Sequence, residues 1–294
     1  MLRTHLTRPD HRVPTRQRTS PEVLRTLIGR LTPRDREIMR LVWEHRTLTT
    51  HQIARLLFGS YSSAKERLST LHRIRALDRF RPYIGQGSAP WHYILDAPGA
   101  QILAGARSQT LTEFGYRRDR VLTLAYRASL DHTVGVNDFF VDLASHTREH
   151  DTRLRWWTAA QCEAEWGDIV RPDAAGKWTD NDKRVRFYLE HDRGTESLRR
   201  LAEKVDAYSE LRRVTSRRDA VVLFWLPSTQ REHNVRARIP QPTVPAATAV
   251  QGTHPADAVW ARLDDPTAAR LRLSQLLSEP IVQPPLPGWE DEGV

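Results

Sequence analysis

The residues best suited to chemistry lie in the second half of the chain, where three carboxylates fall in two short runs. Asp173 ends an Arg-Pro-Asp tripeptide, and Glu190 and Asp192 lie two residues apart in an apolar run. Side chains two apart share one face of a β-strand, so Glu190 and Asp192 are expected to point together. Mg²⁺ or Mn²⁺ favours two or three such oxygens and can activate a bound water against a phosphate. The spacing therefore predicts a divalent-cation site.

Lys204 follows in a charged helical segment, one turn before Tyr208. A lysine near carboxylates can orient a nucleophile or stabilise developing negative charge. A structural interpretation is equally available, because the carboxylates can cap turns or pair with neighbouring arginines and the lysine can lie in solvent. Both interpretations stay open at the level of the sequence.

A mixed α/β unit over residues 131–238 must position these side chains. Hydrophobic spacing predicts a helix, three strands, a long charged helix and a final apolar strand, in the order α-β-β-β-α-β. The expected ranges are 132–150, 153–158, 168–174, 184–192, 195–213 and 220–226. Beyond them, the Pro- and Ala-rich residues 239–255 predict a linker. Residues 256–294 predict an amphipathic helix to about residue 278 and a Pro-rich tail.

The first part of the chain predicts a separate unit. Residues 1–30 form an Arg-rich arm that is expected to be disordered, and residues 97–130 a helical connector. Between them, over residues 31–96, Thr32 is a good helix N-cap with Pro33 at the first helical position. Apolar spacing there predicts three helices and then a β-hairpin with a Gly-rich turn. This is the plan of a winged helix-turn-helix, which binds DNA.

The charge distribution supports a polyanionic partner for this first unit. Residues 1–130 carry 23 Lys and Arg against 10 Asp and Glu, whereas residues 131–294 carry 22 against 26. Such an excess of positive charge suits double-stranded DNA. Base edges and phosphates are the expected targets of exposed polar side chains on the third helix and the hairpin. The candidates are Ser63, Lys65, Arg67 and Arg73 on the helix, and Arg79, Arg81 and Gln86 in the hairpin. The alternatives are a solvated helix face or a winged helix that binds protein.

The composition excludes several classes of protein. The chain has 294 residues, and its longest apolar stretch, residues 220–227, is too short to cross a bilayer. The single cysteine, Cys162, cannot form an intramolecular disulfide, which fits a reducing, cytoplasmic location. The chain has neither a phosphate-binding P-loop motif nor a Gly-rich dinucleotide motif, so no nucleotide cofactor is expected. Only four of the 45 basic residues are lysines, so a lysine within a polar cluster carries more weight than an arginine.

The predicted order of elements, with Pro-Asp on the second strand and Glu on the third, resembles the PD-(D/E)xK nuclease-like superfamily. The resemblance implies Asp173, Glu190 and Lys204 as catalytic residues of a Mg²⁺-dependent DNA endonuclease. Asp192 occupies the position where that motif has its lysine, and Lys204 on the next helix is the implied substitute. The implied metal ligands are Asp173, Glu190 and Asp192, with Asp138 on the preceding helix as a further ligand.

To about residue 236 the chain is similar to the replication-relaxation family of actinobacterial plasmids and integrative elements. The segments that carry the similarity are 31–35, 48–54, 64–71, 171–173, 189–196 and 204–208. The resemblance implies a role in plasmid replication and DNA relaxation, with duplex DNA as partner. Replication or mobilisation proteins and a second copy of the chain are further expected partners. Two functions stay open: a DNA-binding nuclease, or a non-catalytic winged-helix regulator or replication accessory protein.

Overall fold

The computed structural model describes residues 19–82, 87–123, 129–181, 183–215, 219–265, 267–277 and 279–280. By their internal contacts the residues divide into two units, 1–137 and 138–294. Each unit has a sheet and its own helices, so the protein is a mixed α/β chain.

The first unit combines helices with a small antiparallel sheet. Its elements are α1 (Pro21–Arg30), α2 (Pro33–Glu44), β1 (Leu48–Thr49), α3 (Thr50–Leu57), α4 (Tyr61–Arg73), β2 (Leu77–Phe80), β3 (His92–Leu95), α5 (Ala97–Ala106) and α6 (Arg118–Thr123). The strands lie in the order β1-β3-β2, and both pairings are antiparallel. The three central helices and this sheet enclose one apolar core.

Local capping explains where the helices begin. Thr32 and Asp35 form a capping box at the start of α2, and Thr49 and Gln52 form another at the start of α3. Ser60 caps α4, because its side-chain oxygen accepts the backbone N–H of Ser63. A capped N-terminus satisfies backbone donors that the helix leaves unpaired. The predicted start of α2 at Pro33 is confirmed.

The first unit extends beyond both predicted limits. Part of the expected disordered arm is helix α1, in which Leu27 is buried in the core. A capping Ser20 and a proline at the first helical position favour that helix. The expected connector likewise contains α5 and α6, and Ile102 of α5 and Phe114 join the same core. Residues 1–18, 83–86 and 124–128 lie outside the described part of the chain.

The second unit is built on a larger mixed sheet. Its elements are α7 (Leu130–His146), which begins in the first unit, β4 (Thr152–Thr158), α8 (Ala159–Trp166), β5 (Ala174–Asp180), β6 (Lys183–His191), α9 (Leu198–Thr215), β7 (Ala220–Leu226), α10 (Thr229–Arg238), β8 (Ala246–Val250), β9 (Ala261–Arg262) and β10 (Glu279–Pro280). The strand order is β4-β5-β6-β7-β8-β9, with β10 beside the start of β6. The pairs β6-β7 and β7-β8 are parallel, and the other neighbours are antiparallel.

Helices cover both faces of this sheet. On one face, here called the α9 face, Tyr188 and Phe224 pack in an apolar cluster with Leu201 and Val205 of α9. On the opposite face, Phe139 of α7 makes ring contacts with Trp225 and other aromatic side chains. Alternate residues of β6 therefore point at different helices, as the two-residue period of a strand requires.

Several observed elements of the second unit differ from the predicted ones, among them helix α10, where no helix is expected. Helix α8 follows β4 where no helix is expected, because Thr158 and Gln161 form a capping box. The second strand runs over 174–180 rather than 168–174, so Asp173 lies just before it. Residues 246–250, expected in a linker, form β8, whose small side chains are buried in the sheet. A strand of small residues without a clear hydrophobic period cannot be predicted from its sequence pattern.

The segment expected to be a C-terminal amphipathic helix is not helical in its described part. Within residues 256–277 the structure has β9 and a single 3-10 turn over Leu273–Gln275. Trp260 is buried and pairs through its backbone with Leu271. Its indole N–H donates to the Pro255 carbonyl at 2.8 Å. These contacts hold the segment as irregular structure, and Trp260 also contacts the ring of Trp225, on the sheet face opposite the α9 face.

Candidate functional site

The end of β6 brings together residues that lie far apart in the sequence. Ala174 of β5 pairs with Leu189 of β6, and this antiparallel register, continued by one residue, sets Asp173 opposite Glu190. Directly opposed side chains lie on the same face of a sheet and close together. The Asp173 carboxylate also accepts the backbone N–H of His191 at 2.8 Å, which fixes the loop that precedes β5.

Helix α9 supplies two partners to Glu190. Lys204 and Tyr208 lie four residues apart and so share one face of the helix. The Lys204 ammonium is 2.7 Å from Glu190 Oε2, and the Tyr208 hydroxyl donates to Glu190 Oε1 at 2.6 Å. Glu190 is only 1% exposed, and both of its oxygens are bonded to α9.

The electrostatics of this cluster favour an exchangeable proton on Glu190. Burial, and next the charge of Asp173, raise the pKa of Glu190 to about 7, although Lys204 and Tyr208 act in the opposite direction. Burial also raises the pKa of Tyr208, and the Glu190 charge raises it further, so Tyr208 stays protonated. Perturbed carboxyls beside specific charges are frequent at functional sites.

Lys204 is held between two carboxylates. Besides Glu190, its ammonium pairs with Glu196 at 3.0 Å. Burial lowers the pKa of Lys204, but the charges of Glu190 and Asp173 more than compensate, and it lies above the usual lysine value. Lys204 is therefore a permanent positive charge beside Glu190. We call Asp173, Glu190 and Lys204, with Tyr208, the acid–lysine site.

The other two expected metal ligands are placed differently. The Asp192 carboxylate accepts from Arg231 of α10 at 2.6 Å and from the backbone N–H of Gly194 at 2.8 Å. It follows the last residue of β6 and is buried in this ion pair, which the sequence spacing alone does not reveal. Asp138 lies on α7 and is partly buried. Within the described residues, no group of three or more His, Cys, Asp or Glu side chains is arranged to hold a metal ion.

In the first unit, the α4 candidates divide into two sets. Ser63, Lys65 and Arg73 are exposed. Arg67 instead forms a two-pronged ion pair with Asp35, which is fully buried, and its Nε lies 2.8 Å from the carboxylate. Burial raises the pKa of Asp35, but hydrogen bonds from Arg67 and Thr32 outweigh it and hold the pKa below its ordinary value. Arg67 therefore links α4 to α2.

The hairpin candidates are held by an aromatic ring. The guanidinium carbons of Arg79 and Arg81 each lie 4.1 Å from the centre of the Trp91 ring. Cation–π contacts of this kind hold a guanidinium in place without neutralising it. The seventh candidate, Gln86, lies outside the described residues.

Sequence reasoning gives no role to three side chains around these carboxylates, which are Tyr208 and Glu196 at the acid–lysine site and Arg231 beside Asp192. The four-residue spacing of Lys204 and Tyr208 is the signal that both can point at the same carboxylate. Glu196 and Arg231 had no such signal, since their roles depend on how the chain turns after β6. They become visible only when the loop and α10 are placed.

The geometry defines a two-unit α/β protein whose second unit carries a buried acid–lysine site. The model of the replication-relaxation family matches residues 39–222, which include Asp173, Glu190 and Lys204. The chain belongs to the replication-relaxation family. No curated protein and no solved structure matches it. No helix of the described residues is long and apolar enough to cross a membrane.

Proposed function

We propose that this protein binds double-stranded DNA of a plasmid or mobile element through its first unit and cleaves it, with a divalent cation, at the acid–lysine site. The observation that carries the proposal is the convergence of Asp173, Glu190 and Lys204 from two neighbouring segments of the sheet and α9. Membership of the replication-relaxation family supports a role in plasmid replication or DNA relaxation. We place this function in the cytoplasm, where plasmid DNA is replicated, with replication or mobilisation proteins or a second copy of the chain as the proposed partners.

The topology of each unit supports the finer fold assignments. In the first unit, β1 precedes α3 and α4, and the β2-β3 pair follows them, which is the arrangement of a winged helix-turn-helix. In the second unit, two antiparallel pairings lead into a parallel pair joined by α9, as in PD-(D/E)xK nuclease-like folds. Fold alone does not establish an activity, so the proposal depends on the side chains.

For the first unit, DNA contact is assigned to the exposed face of α4. Ser63, Lys65 and Arg73 present hydroxyl, ammonium and guanidinium groups, which suit base edges and phosphates of the major groove. Arg79 and Arg81 add positive charge in the hairpin. Arg67 is assigned a structural role instead, because its guanidinium is bound to Asp35.

The donor set of the acid–lysine site fits a hard divalent cation. Mg²⁺ is commonly bound by one or two carboxylates, with water and substrate phosphate completing its coordination. Asp173 and Glu190 are two opposed carboxyls, and the Asp173 charge raises the pKa of Glu190 because the two repel. A cation between them would relieve that repulsion. When bound, it would activate water and neutralise charge on the phosphate.

The side chains of the site have distinct proposed roles. Asp173 and Glu190 supply the oxygens. Lys204 keeps Glu190 in place and adds positive charge where the phosphate would gain negative charge. Tyr208 fixes the second Glu190 oxygen, so the carboxylate has one orientation.

One observation favours the alternative, a non-catalytic DNA-binding regulator or replication accessory protein. Both oxygens of Glu190 are already hydrogen-bonded, and its side chain is buried. A buried carboxylate that is hydrogen-bonded through both oxygens and paired with a lysine can serve as a structural ion pair without binding a metal ion. The two functions differ in whether DNA is cut, which an assay decides directly.

The experiment uses supercoiled plasmid that carries the origin of the protein's own element, with Mg²⁺, Mn²⁺ or EDTA. We expect nicked or linear product with metal. The rate of cleavage should fall by about 100-fold or more in Asp173→Asn, Glu190→Gln and Lys204→Met. Glu203→Gln is the matched control, because Glu203 lies beside Lys204 on α9 but is exposed and pairs with Arg199. Intact plasmid in every lane, with binding retained in a gel shift, would establish the non-catalytic alternative.

A further inference from the structure

Part of the α9 face of the large sheet carries a row of positively charged side chains on strands β4, β5 and β6. Arg155 of β4 pairs directly with Lys177 of β5, which pairs in turn with Arg186 of β6. The next row on the same face contains Arg153, Thr179 and Arg184. Five cationic side chains therefore lie in two adjacent rows across three strands.

Most of these cations are accessible. Arg153 and Arg155 are exposed, and Lys177 and Arg184 are partly exposed. They line an open hollow in which Asp151 is the only carboxylate among the described residues that form its wall. Arg186 is the exception, because it is buried and paired with Asp219.

The arrangement opposes the ordinary rule for sheets. Like charges directly opposite each other on neighbouring strands destabilise a sheet. Arg155 and Lys177 nevertheless stand opposite each other, and Lys177 is one of only four lysines in the chain. The Nε of Arg184 is also buried without a hydrogen-bond partner among the described residues. An anion in the hollow would supply an acceptor for this N–H of Arg184.

We propose that Arg153, Arg155, Lys177 and Arg184, here called the basic strip, bind the phosphate backbone of DNA. This inference rests on the proposed function, since it places DNA at the second unit. A polyanion is favoured over a single small anion because the charges are spread over two rows and three strands. The guanidinium of Arg155, 4.7 Å from the centre of the Trp157 ring, is held in place without losing its charge.

The strip lies on the same sheet face as Glu190. Along β6, Arg186 and Arg184 precede Glu190 by four and six residues, which is about 13 to 20 Å at the rise of a β-strand. Successive base pairs are about 3.4 Å apart along a duplex. The basic strip therefore contacts phosphates about four to six nucleotides from those at the acid–lysine site.

The test measures the salt dependence of DNA binding by the full chain, with a duplex of about 40 base pairs in EDTA. Each lost phosphate contact lowers the slope of log affinity against log salt by about 0.9. We expect the double variant Arg153→Gln/Arg184→Gln to lower that slope by about 2. Hydroxyl-radical footprinting should show that a short protected segment beside the main site is lost in the same variant.

The matched control is Lys183→Gln. Lys183 is exposed, adjoins Arg184 in β6 and therefore points to the opposite face, so its loss removes a charge without touching the strip. Equal slopes and footprints for Lys183→Gln and the double variant would overturn the basic strip, while wild-type binding would still support the proposed function. If the wild-type chain binds no duplex, both inferences are wrong. Arg153→Gln alone, with an expected slope change of about 1, serves if the double variant does not fold.

Discussion

The unusual proton affinity of Glu190 makes the stability of the metal-free protein depend on pH in a defined direction. Burial and the Asp173 charge raise the pKa of Glu190 from the ordinary value of 4.5 to about 7. Between these values the folded chain keeps a proton that the unfolded chain has released. Because the folded state then binds more protons, the free energy of unfolding falls as the pH rises.

The magnitude follows from the size of that change. A difference of one pKa unit corresponds to about 1.4 kcal/mol. The free energy of unfolding therefore falls by about 3 kcal/mol in total because of Glu190, and this loss is complete above pH 7. Glu190→Gln removes this titration. We therefore expect the unfolding free energy of Glu190→Gln, relative to wild type, to rise by about 2 to 3 kcal/mol between pH 5 and pH 8.

Urea denaturation in EDTA, followed by tryptophan fluorescence, measures this difference. Comparing the variant with wild type at each pH cancels the titration of other groups. Glu203→Gln, whose carboxyl is exposed, should follow the wild-type curve. Parallel pH curves for Glu190→Gln and wild type would refute the electrostatic description of the acid–lysine site.

Three further predictions concern the fold that supports these residues. Burial lowers the pKa of His45 to about 3. Below pH 6.5 the unfolded chain therefore gains a proton that the folded chain does not, and the free energy of unfolding of the first unit should fall by about 1.4 kcal/mol per pH unit. In acid titrations, His45→Gln should lose less stability than wild type. Arg67→Met should lower stability by about 1 to 3 kcal/mol in urea denaturation, since it strands a buried carboxylate, whereas Lys65→Met should instead weaken DNA binding in a gel shift with stability unchanged. A methyl group at Gly176 would lie 2.2 Å from the Phe187 ring, so Gly176→Ala should lower the thermal midpoint of the second unit, and an unchanged midpoint would contradict the packing.

Much of the second unit could be predicted from the sequence because its elements have strong periods. The strand at 220–226 has the predicted limits, and the long charged helix agrees to within a few residues. Apolar spacing directly reports which side of an element is buried. Strand β8 and the segment around Trp260 cannot be predicted in this way. Their structure depends on pairing with other parts of the chain, and their own residues show no hydrophobic periodicity.

The site was predictable only in part for the same reason. Asp173 and Glu190 could be placed near each other from the expected hairpin, and Lys204 from the helix that follows. The partner of Asp192 could not, because Arg231 reaches it from a helix about 40 residues later in the chain. Similarly, the sequence predicts the same DNA-reading role for Arg67 and Lys65, and the long-range contact of Arg67 with Asp35 becomes visible only in the folded chain.

The central claim is that Asp173 and Glu190 together form one divalent-cation site, and Mn²⁺ binding tests it without knowledge of the DNA sequence. Isothermal titration of the metal-free full chain at pH 8, where Glu190 is ionised, gives the number of sites and their affinity. We expect one Mn²⁺ per wild-type chain, binding lost in Asp173→Asn and Glu190→Gln, and wild-type binding in Glu203→Gln. Equal Mn²⁺ binding by wild type and Asp173→Asn, or none by wild type, would contradict the claim.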